Sequence, residues 1–181
     1  DPTTGAHRGI QVVYPNTYTI PNIGANKKVE INGVYDDYFG MAQIRADSVI
    51  VLDDAPMIPA VIIEDPASIA TGGTKADLYQ GVLVELHNIS VVSPDVGYGE
   101  FTVDGGLHID DAIYKYTLPT AGATYAVLRG VMTYSYEAYK LLPRSAADLV
   151  LDGETDTYVA GIAEADLNND GGGSIVGQCQ E

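Results

Sequence analysis

Short segments in which apolar and polar residues alternate recur along most of the chain. In residues 81–88, Val82, Val84 and Leu86 fall on one face of an extended chain and polar residues on the other. A period of two residues is the pattern of a half-buried β-strand. It predicts strands at residues 9–14, 28–35, 41–44, 48–52, 81–92, 100–103, 107–109, 125–133, 139–142 and 149–151. Since no segment shows the 3.6-residue period of a helix bundle, we expect an all-β fold.

Turn-forming residues separate these segments. The chain has 20 Gly and 9 Pro, as a protein of many short strands requires. We expect turns at residues 94–99 and 104–106, and a bulge near residue 89. Ser145 is the candidate N-cap of a short helical turn at residues 145–148.

One stretch of the sequence occurs twice. Residues 116–124 (Tyr-Thr-Leu-Pro-Thr-Ala-Gly-Ala-Thr) match residues 18–26 (Tyr-Thr-Ile-Pro-Asn-Ile-Gly-Ala-Asn) at five positions, with an offset of 98 residues. Similarity continues upstream, where residues 9–12 lie opposite 106–109, and downstream, where residues 29–34 lie opposite 126–131. A self-match at a nearly constant offset indicates a duplicated unit.

The two copies differ in completeness. Residues 81–103 precede the turn of the second copy, whereas the offset of 97 residues places the counterpart of its Asp104 at residue 7, so only residues 1–6 precede the turn of the first copy. Five or six short strands fit a small barrel of the OB type. We therefore expect an all-β fold of tandem OB-like small β-barrels, the first lacking its opening strands. The predicted boundaries are 1–66 for the incomplete module, 67–77 for a linker, 78–151 for the complete module and 152–181 for an acidic Gly-rich tail.

The missing strands have three candidate sources. They belong to an upstream segment of the same protein, or a neighbouring chain supplies them by donor-strand pairing. Alternatively, the first copy is a degenerate half-barrel packed on the second. The apolar segments 158–163 and 174–177 of the tail could each add to an open sheet edge in a neighbour, and an ordinary tail is the alternative.

Charge restricts the partners. The formal net charge is −16, which repels phosphate backbones and makes nucleic acid an unfavourable ligand. The chain contains no run of about 18 apolar residues that would form a membrane-spanning helix, so membrane insertion is not expected. The single cysteine, Cys179, has no partner for an intrachain disulfide.

Several motifs are similar to a known family. They are Gly-Val-x-x-Tyr-Ser-Tyr-x-x-Tyr-Lys-Leu-Leu-Pro-Arg-Ser at 130–145, Tyr-Gly-Glu-Phe-Thr-Val-Asp at 98–104, Gly-Val-Leu-Val at 81–84 and Gly-Val-Tyr-Asp-Asp-Tyr-Phe-Gly-Met-Ala-Gln-Ile at 33–44. Over residues 1–151 the chain resembles the OB-like modules of secreted bacterial proteins. Those modules often accompany extracellular nucleases of the endonuclease/exonuclease/phosphatase type. The resemblance implies an extracellular or cell-surface location and offers no catalytic residues, so we expect no enzymatic activity.

Two segments carry candidate binding chemistry. A tyrosine-rich bend with basic neighbours could stack sugars or bases, although packing of the core and rim is the alternative; its residues are Tyr134, Tyr136, Tyr139, Lys140 and Arg144. Asp166, Asn168 and Asp170, followed by Gly171, resemble the first half of a calcium loop. The twelfth position is Gly177 rather than Glu, so a solvated linker is the alternative to a Ca²⁺ site here.

Another candidate site is weaker. His108 and Asp110 share one face of a strand, but the sequence identifies no third metal ligand. His87 has no partner in sequence and is expected to be exposed.

These features predict a non-catalytic structural or binding module. The leading hypothesis is a building block of an extracellular assembly, a filament or surface layer, formed by β-strand complementation between subunits. It implies self-association or pairing with an upstream segment. The alternative is an accessory nucleic-acid-binding or glycan-binding domain of an extracellular nuclease or other hydrolase.

Overall fold

The computed structural model describes residues 5–14, 23, 27–55, 59–158 and the backbone of 173–178. These residues form β-strands, confirming the all-β class. The strands are β1 (Gly9–Tyr14), β2 (Lys27–Tyr38), β3 (Met41–Asp54), β4 (Val61–Ile62), β5 (Leu83–Gly97), β6 (Glu100–Val103), β7 (His108–Ile109), β8 (Thr124–Ser135), β9 (Ala138–Leu142), β10 (Leu149–Leu151) and β11 (Gly173–Gln178). Four 3₁₀ turns accompany them: Pro66–Ser68, Ala76–Tyr79, Asp104–Gly106 and Ala146–Asp148.

The larger sheet has the strand order β10-β8-β9-β7-β6-β5-β4, and β8 also pairs with β5. The pairings β5–β6, β6–β7, β7–β9, β9–β8 and β8–β5 therefore return to the strand at which they began. Within this cycle only β7 and β9 run parallel.

Alternation along β5 builds the core inside that cycle. Val84 and Leu86 are fully buried, while His87 is exposed, as the period of two predicts. The bulge predicted near residue 89 is absent: from His87 opposite Val127 to Ile89 opposite Tyr125 both strands advance by two residues, and Asn88 departs from regular strand geometry only in its φ of 54°. Other fully buried side chains are Phe101, Val103, Leu107, Ile109, Leu128, Met132 and Leu141.

The smaller sheet has the order β11-β1-β3-β2. Its core is modest: Val12, Ala46 and Val49 are buried, and partly buried neighbours such as Ile31 and Ile44 pack against them. The strand β11 comes from the tail of the chain and pairs antiparallel with β1. The first copy therefore has a further strand beside it, taken from residues 173–178.

The predicted repeat is present in the strand pairing. Val12 faces Ile44 across the parallel pair β1–β3, and Ile109 faces Leu141 across the parallel pair β7–β9. Tyr35 faces Ile44 across β2–β3, just as Met132 faces Leu141 across β8–β9. Each residue of the first copy lies 97 positions before its counterpart. The register of β1, β2 and β3 thus reproduces that of β7, β8 and β9.

Two glycines join the sheets. A Cβ atom placed on Gly9 would lie 2.1 Å from the carbonyl carbon of Gly81, so the two backbones are in direct contact. Gln80 strengthens the joint, because its side chain accepts from the Ala42 amide at 3.0 Å and donates to the Gly40 carbonyl at 3.0 Å. The segment predicted as a linker packs here too: Ile69 is buried in the larger core.

Two local expectations were wrong. Residues 94–97 continue β5, and the turn is confined to Tyr98 and Gly99. The two predicted strands 41–44 and 48–52 form the single strand β3. Its pairing with β2 continues through two register shifts. Ser145 is the N-cap residue of the Ala146–Asp148 turn, as predicted, but it makes no side-chain capping bond. The Asp148 carboxylate instead accepts a hydrogen bond from the Arg144 amide at 2.8 Å.

Candidate functional site

The tail strand occupies a position that the second copy fills internally. In the larger sheet, Phe101 of β6 faces Ile109 of β7. In the smaller sheet, Ile175 of β11 faces Val12 of β1, and Val12 is the counterpart of Ile109. Both pairings are antiparallel. The strand β11 therefore lies beside β1 as β6 lies beside β7, and we call this edge of β1 the strand-acceptor site.

Chain connectivity distinguishes the two positions. The strand β6 reaches β7 through the tight turn Asp104–Gly106. The strand β11, by contrast, belongs to the end of the sequence and meets β1 near its beginning. The acceptor site is thus filled by a segment that is distant in sequence and joined to the rest of the chain on one side by residues 159–172.

The predicted tyrosines converge on the β8–β9 hairpin but differ in their surroundings. Tyr134 faces Tyr139, with ring centroids 4.7 Å apart. The Tyr139 hydroxyl donates to the Asp77 carboxylate, and burial together with this bond raises the pKa of Tyr139 to about 12. Tyr134 lies against Gly40 of the smaller sheet. Tyr136, at the tip, presents 95% of its surface to solvent.

Lys140 is buried in an ionic cluster below Tyr136. Its ammonium group donates to the Glu100 carboxylate and, at 3.0 Å, to Asp110. Burial alone would lower the pKa of Lys140, but these two bonds outweigh it and raise the pKa. His108 Nδ1 lies 2.8 Å from the second Glu100 oxygen. His108 and Asp110, the pair considered above as metal ligands, therefore lie around the Lys140 ammonium group. This group already supplies the positive charge that a metal ion would bring.

Arg144 lies in a different cluster from the hairpin tyrosines. Its Nε and Nη2 atoms both donate to Asp148 at 2.8 Å, and Asp148 is fully buried. Arg129 is likewise buried, between Glu85 and Asp156. These carboxylates neutralise the basic residues near the predicted binding surface. A binding role for Tyr134, Tyr136, Tyr139, Lys140 and Arg144 stays a prediction.

The exposed aromatic residue that the sequence reading missed is Tyr98. It lies at the tip of the β5–β6 hairpin and is 98% exposed, with a φ of 58°. Phe39 and Tyr136 hold the same position in their hairpins, with φ values of 51° and 50°. In each turn the next residue also has a positive φ, as two-residue type I′ turns require. The aromatic-Gly pair between two alternating segments was the available signal for Tyr98.

The predicted calcium ligands Asp166, Asn168 and Asp170 lie outside the described residues. Within the part of the chain that the structure describes, no group of three or more His, Cys, Asp or Glu side chains is placed to hold a metal ion. None of the helical segments in that part is long and apolar enough to cross a membrane.

No protein-family model, no curated protein and no solved structure matches the chain. The class that the fold defines is an all-β protein in which a three-strand unit occurs twice. The function is therefore argued from the strand-acceptor site and the aromatic turns.

Proposed function

We propose that the chain is a non-catalytic structural module of a secreted or cell-surface protein, and that its copies join by exchanging β11. In this proposal the two units are tandem OB-like modules. The second has a complete cycle of five paired strands, the number in an OB-type barrel. The first accepts a strand at its β1 edge from the tail of a neighbouring copy. Repetition of that contact would build a filament or surface layer.

The observation that carries the proposal is the position of β11 on β1. All six residues of β11 have a partner on β1, and each main-chain hydrogen bond contributes a net ~1 kcal/mol. A strand held by several such bonds can dissociate from its own chain and bind an identical edge elsewhere. Strand exchange between identical protomers is a low-cost route to oligomers.

The reach of the tail makes the exchange feasible. Asp156 and Tyr158 are fixed to Arg129 on the larger sheet. Residues 159–172 separate this anchor from Gly173, and a chain of that length spans up to about 50 Å when extended. The same strand can therefore meet the acceptor site of its own chain or of an adjacent one.

Cysteine crosslinking separates the two arrangements. Gln11 faces Val176 in the β1–β11 pair. We would prepare Gln11→Cys and Val176→Cys as separate proteins, each with Cys179→Ser, and mix them under mild oxidation. We expect a disulfide-linked heterodimer, together with filaments of the wild-type chain in electron micrographs that disappear when residues 172–181 are deleted.

Two control experiments test whether crosslinking depends on the register of the β1–β11 pair. Arg45 lies on β3, beyond β1 from β11, so Arg45→Cys mixed with Val176→Cys should not crosslink. A chain carrying both Gln11→Cys and Val176→Cys reports pairing within one molecule. If that chain closes its disulfide at every concentration while the mixed single variants never link, exchange between copies is refuted.

A second candidate function is glycan binding at the hairpin tips. Tyr98 and Tyr136 are almost fully exposed, whereas Lys140, Arg144 and Arg129 are engaged by carboxylates. An uncharged sugar therefore suits this surface better than a nucleic acid, whose binding depends on available Lys and Arg. Affinity electrophoresis in neutral polysaccharides should show retardation that Tyr136→Ala reduces. Salt-sensitive binding to single-stranded DNA, abolished by Tyr136→Ala with Lys140→Ala, would favour nucleic acid instead.

A further inference from the structure

The outer edge of β2 is long and regular. The strand covers twelve residues, and it pairs with β3 along one side. Both register shifts in this pair place the extra residue, Asp47 or Leu52, on β3. As a result β2 keeps an unbroken alternation. It is the last strand of its sheet, with no second partner among the described strands.

The second copy shows what kind of neighbour such an edge accepts. There, β8 is the counterpart of β2, and β5 runs antiparallel along its outer side. Val131 and Met132 of β8 are 6% and 0% exposed, whereas their counterparts Val34 and Tyr35 are 56% and 64% exposed. The β2 edge therefore leaves exposed two apolar positions that are buried in the second copy, where β5 covers this side.

The sequence of β2 is complementary to itself in the antiparallel direction. When two copies of the strand are centred on Asn32, Lys28 lies opposite Asp36 and Lys27 lies opposite Asp37. On the face that carries the small core, Val29 lies opposite Tyr35 and Ile31 opposite Gly33. Opposite charges at the ends and the apolar pair Val29–Tyr35 favour this register, in which Asn32 faces its own copy and Glu30 lies opposite Val34 on the other face.

We propose that the β2 edge binds the β2 edge of a second copy of this chain, antiparallel and about a two-fold axis through Asn32. The contact is isologous, since each copy contributes the same residues, and it joins two four-stranded sheets into one of eight strands. It goes beyond the strand-exchange proposal, because β11 and β2 lie at opposite edges of the sheet. Charge selects a second copy as the occupant: the chain is strongly acidic overall, yet this edge carries Lys28 opposite its own Asp36, and Lys27, which also binds Asp54 of β3, opposite Asp37.

Crosslinking at the two-fold axis tests the contact. In a Cys179→Ser background, Asn32→Cys places two thiols on directly opposed residues of adjacent strands, whereas Ser48→Cys is the matched control. Ser48 faces Asn32 from β3, so the two copies of Ser48 would lie about 14 Å apart, beyond the reach of a disulfide. We expect disulfide dimers of Asn32→Cys only. Equal crosslinking of the two variants, or none of either, would overturn the proposal.

Charge exchange tests the register. Lys28→Glu creates two repulsive contacts with Asp36 in each dimer and should raise the dimer Kd, measured by sedimentation equilibrium, about tenfold. The double variant Lys28→Glu/Asp36→Lys restores opposite charges and should return the Kd to within about threefold. Circular dichroism establishes that each variant is folded. An unaffected single variant, or a double variant as weak as the single, contradicts the register.

A foreign strand at this edge is the competing outcome. A synthetic peptide of residues 82–91 reproduces the strand that covers β8. If the wild-type chain stays monomeric at all concentrations but binds this peptide, and Tyr35→Lys abolishes binding while Tyr38→Lys does not, the edge accepts another polypeptide and the two-fold contact is wrong. Deleting residues 172–181 should leave the β2 dimer intact, which separates this test from that of the exchanged strand.

Discussion

Arg129 and Asp156 form a two-bonded ion pair that fixes the start of the tail to the larger sheet. Nη1 and Nη2 of the guanidinium donate to the two carboxylate oxygens, at 3.0 and 2.5 Å. The ring of Tyr158 covers the same guanidinium, with its centroid 4.2 Å from Cζ. The tail therefore leaves the folded unit from a defined point, which limits the acceptor sites that β11 can reach.

Replacing Asp156 should reveal this anchor in the pH dependence of stability. The hydrogen bond from Arg129 lowers the pKa of Asp156 below its ordinary value. A carboxylate with a lowered folded-state pKa stabilises the fold above its unfolded-state pKa of ~3.9, and the stabilisation is lost as the pH falls through the folded-state pKa. Asp156→Asn should therefore cost about 1 kcal/mol at pH 7 and progressively less as the pH falls through the folded-state pKa.

Urea unfolding at a series of pH values measures this difference. Asp152→Asn, an exposed residue of the same segment, is the control and should match the wild type throughout. A cost for Asp156→Asn that is the same at pH 7 and pH 2 would show that the ion pair contributes nothing.

Substitution in the ion pair between Arg144 and Asp148 should lower the free energy of unfolding more than substitution of Asp156. Asp148 is fully buried and accepts from the Arg144 side chain and from its backbone amide. Removing one partner of a buried pair leaves the other charge uncompensated, so Asp148→Ala should cost about 3–5 kcal/mol. Arg144→Met with Asp148→Leu removes both charges and should cost clearly less.

Denaturant unfolding of the three proteins checks this order, with the exposed Asp53→Ala as the control that should stay within about 0.5 kcal/mol of the wild type. A double variant that is less stable than Asp148→Ala would contradict the electrostatic explanation.

The contact between Gly9 and Gly81 should tolerate no side chain. A Cβ on Gly9 would meet the Gly81 carbonyl carbon at 2.1 Å, and the three nearest atoms all belong to the backbone of Gly81 and Val82. Gly9→Ala must separate the sheets, and we expect a cost of about 2–3 kcal/mol. Gly153→Ala meets no atom within 4 Å and changes only a residue with a φ of 83°, so about 1 kcal/mol is expected.

Thermal unfolding and amide exchange at residues 9–14 measure both effects. Gly9→Ala should increase exchange across β1, whereas Gly153→Ala should not. Equal behaviour of the two variants would mean that the glycine contact does not hold the sheets together.

Local patterns predicted much of the fold because they act between neighbouring residues. Alternation identified β5, and the Asp104–Gly106 turn joins β6 to β7 as expected. The self-match of the sequence also anticipated the repeated pairing of β1, β2 and β3.

The local patterns of the sequence did not predict contacts between residues that are distant along the chain. The side chains of Lys140 and Glu100 come into contact only in the folded chain. From the sequence alone, Lys140 was therefore expected to be an available cation, whereas it is buried. The pairing of β11 with β1 depends on a short segment whose partner lies more than 150 positions away, and alternation carries no information about such a partner. The sequence therefore indicated the hairpin tyrosines Tyr134, Tyr136 and Tyr139, but neither the exposure of Tyr98 nor the carboxylates that engage Lys140 and Arg144.

The final prediction concerns the strained turn at Tyr98. A non-glycine residue with positive φ carries a backbone cost of about 1 kcal/mol that asparagine largely avoids. Since the Tyr98 side chain is 98% exposed, its ring offers little packing to offset that cost. Tyr98→Asn should therefore stabilise the chain by about 0.5–1 kcal/mol in urea unfolding, while weakening any polysaccharide binding at the hairpin tips. The control is Tyr35→Asn, which loses a 64% exposed ring from a regular strand and should be neutral or destabilising. If Tyr98→Asn instead destabilises the protein as Tyr35→Asn does, the ring supports the fold and the tip is not a strained binding element.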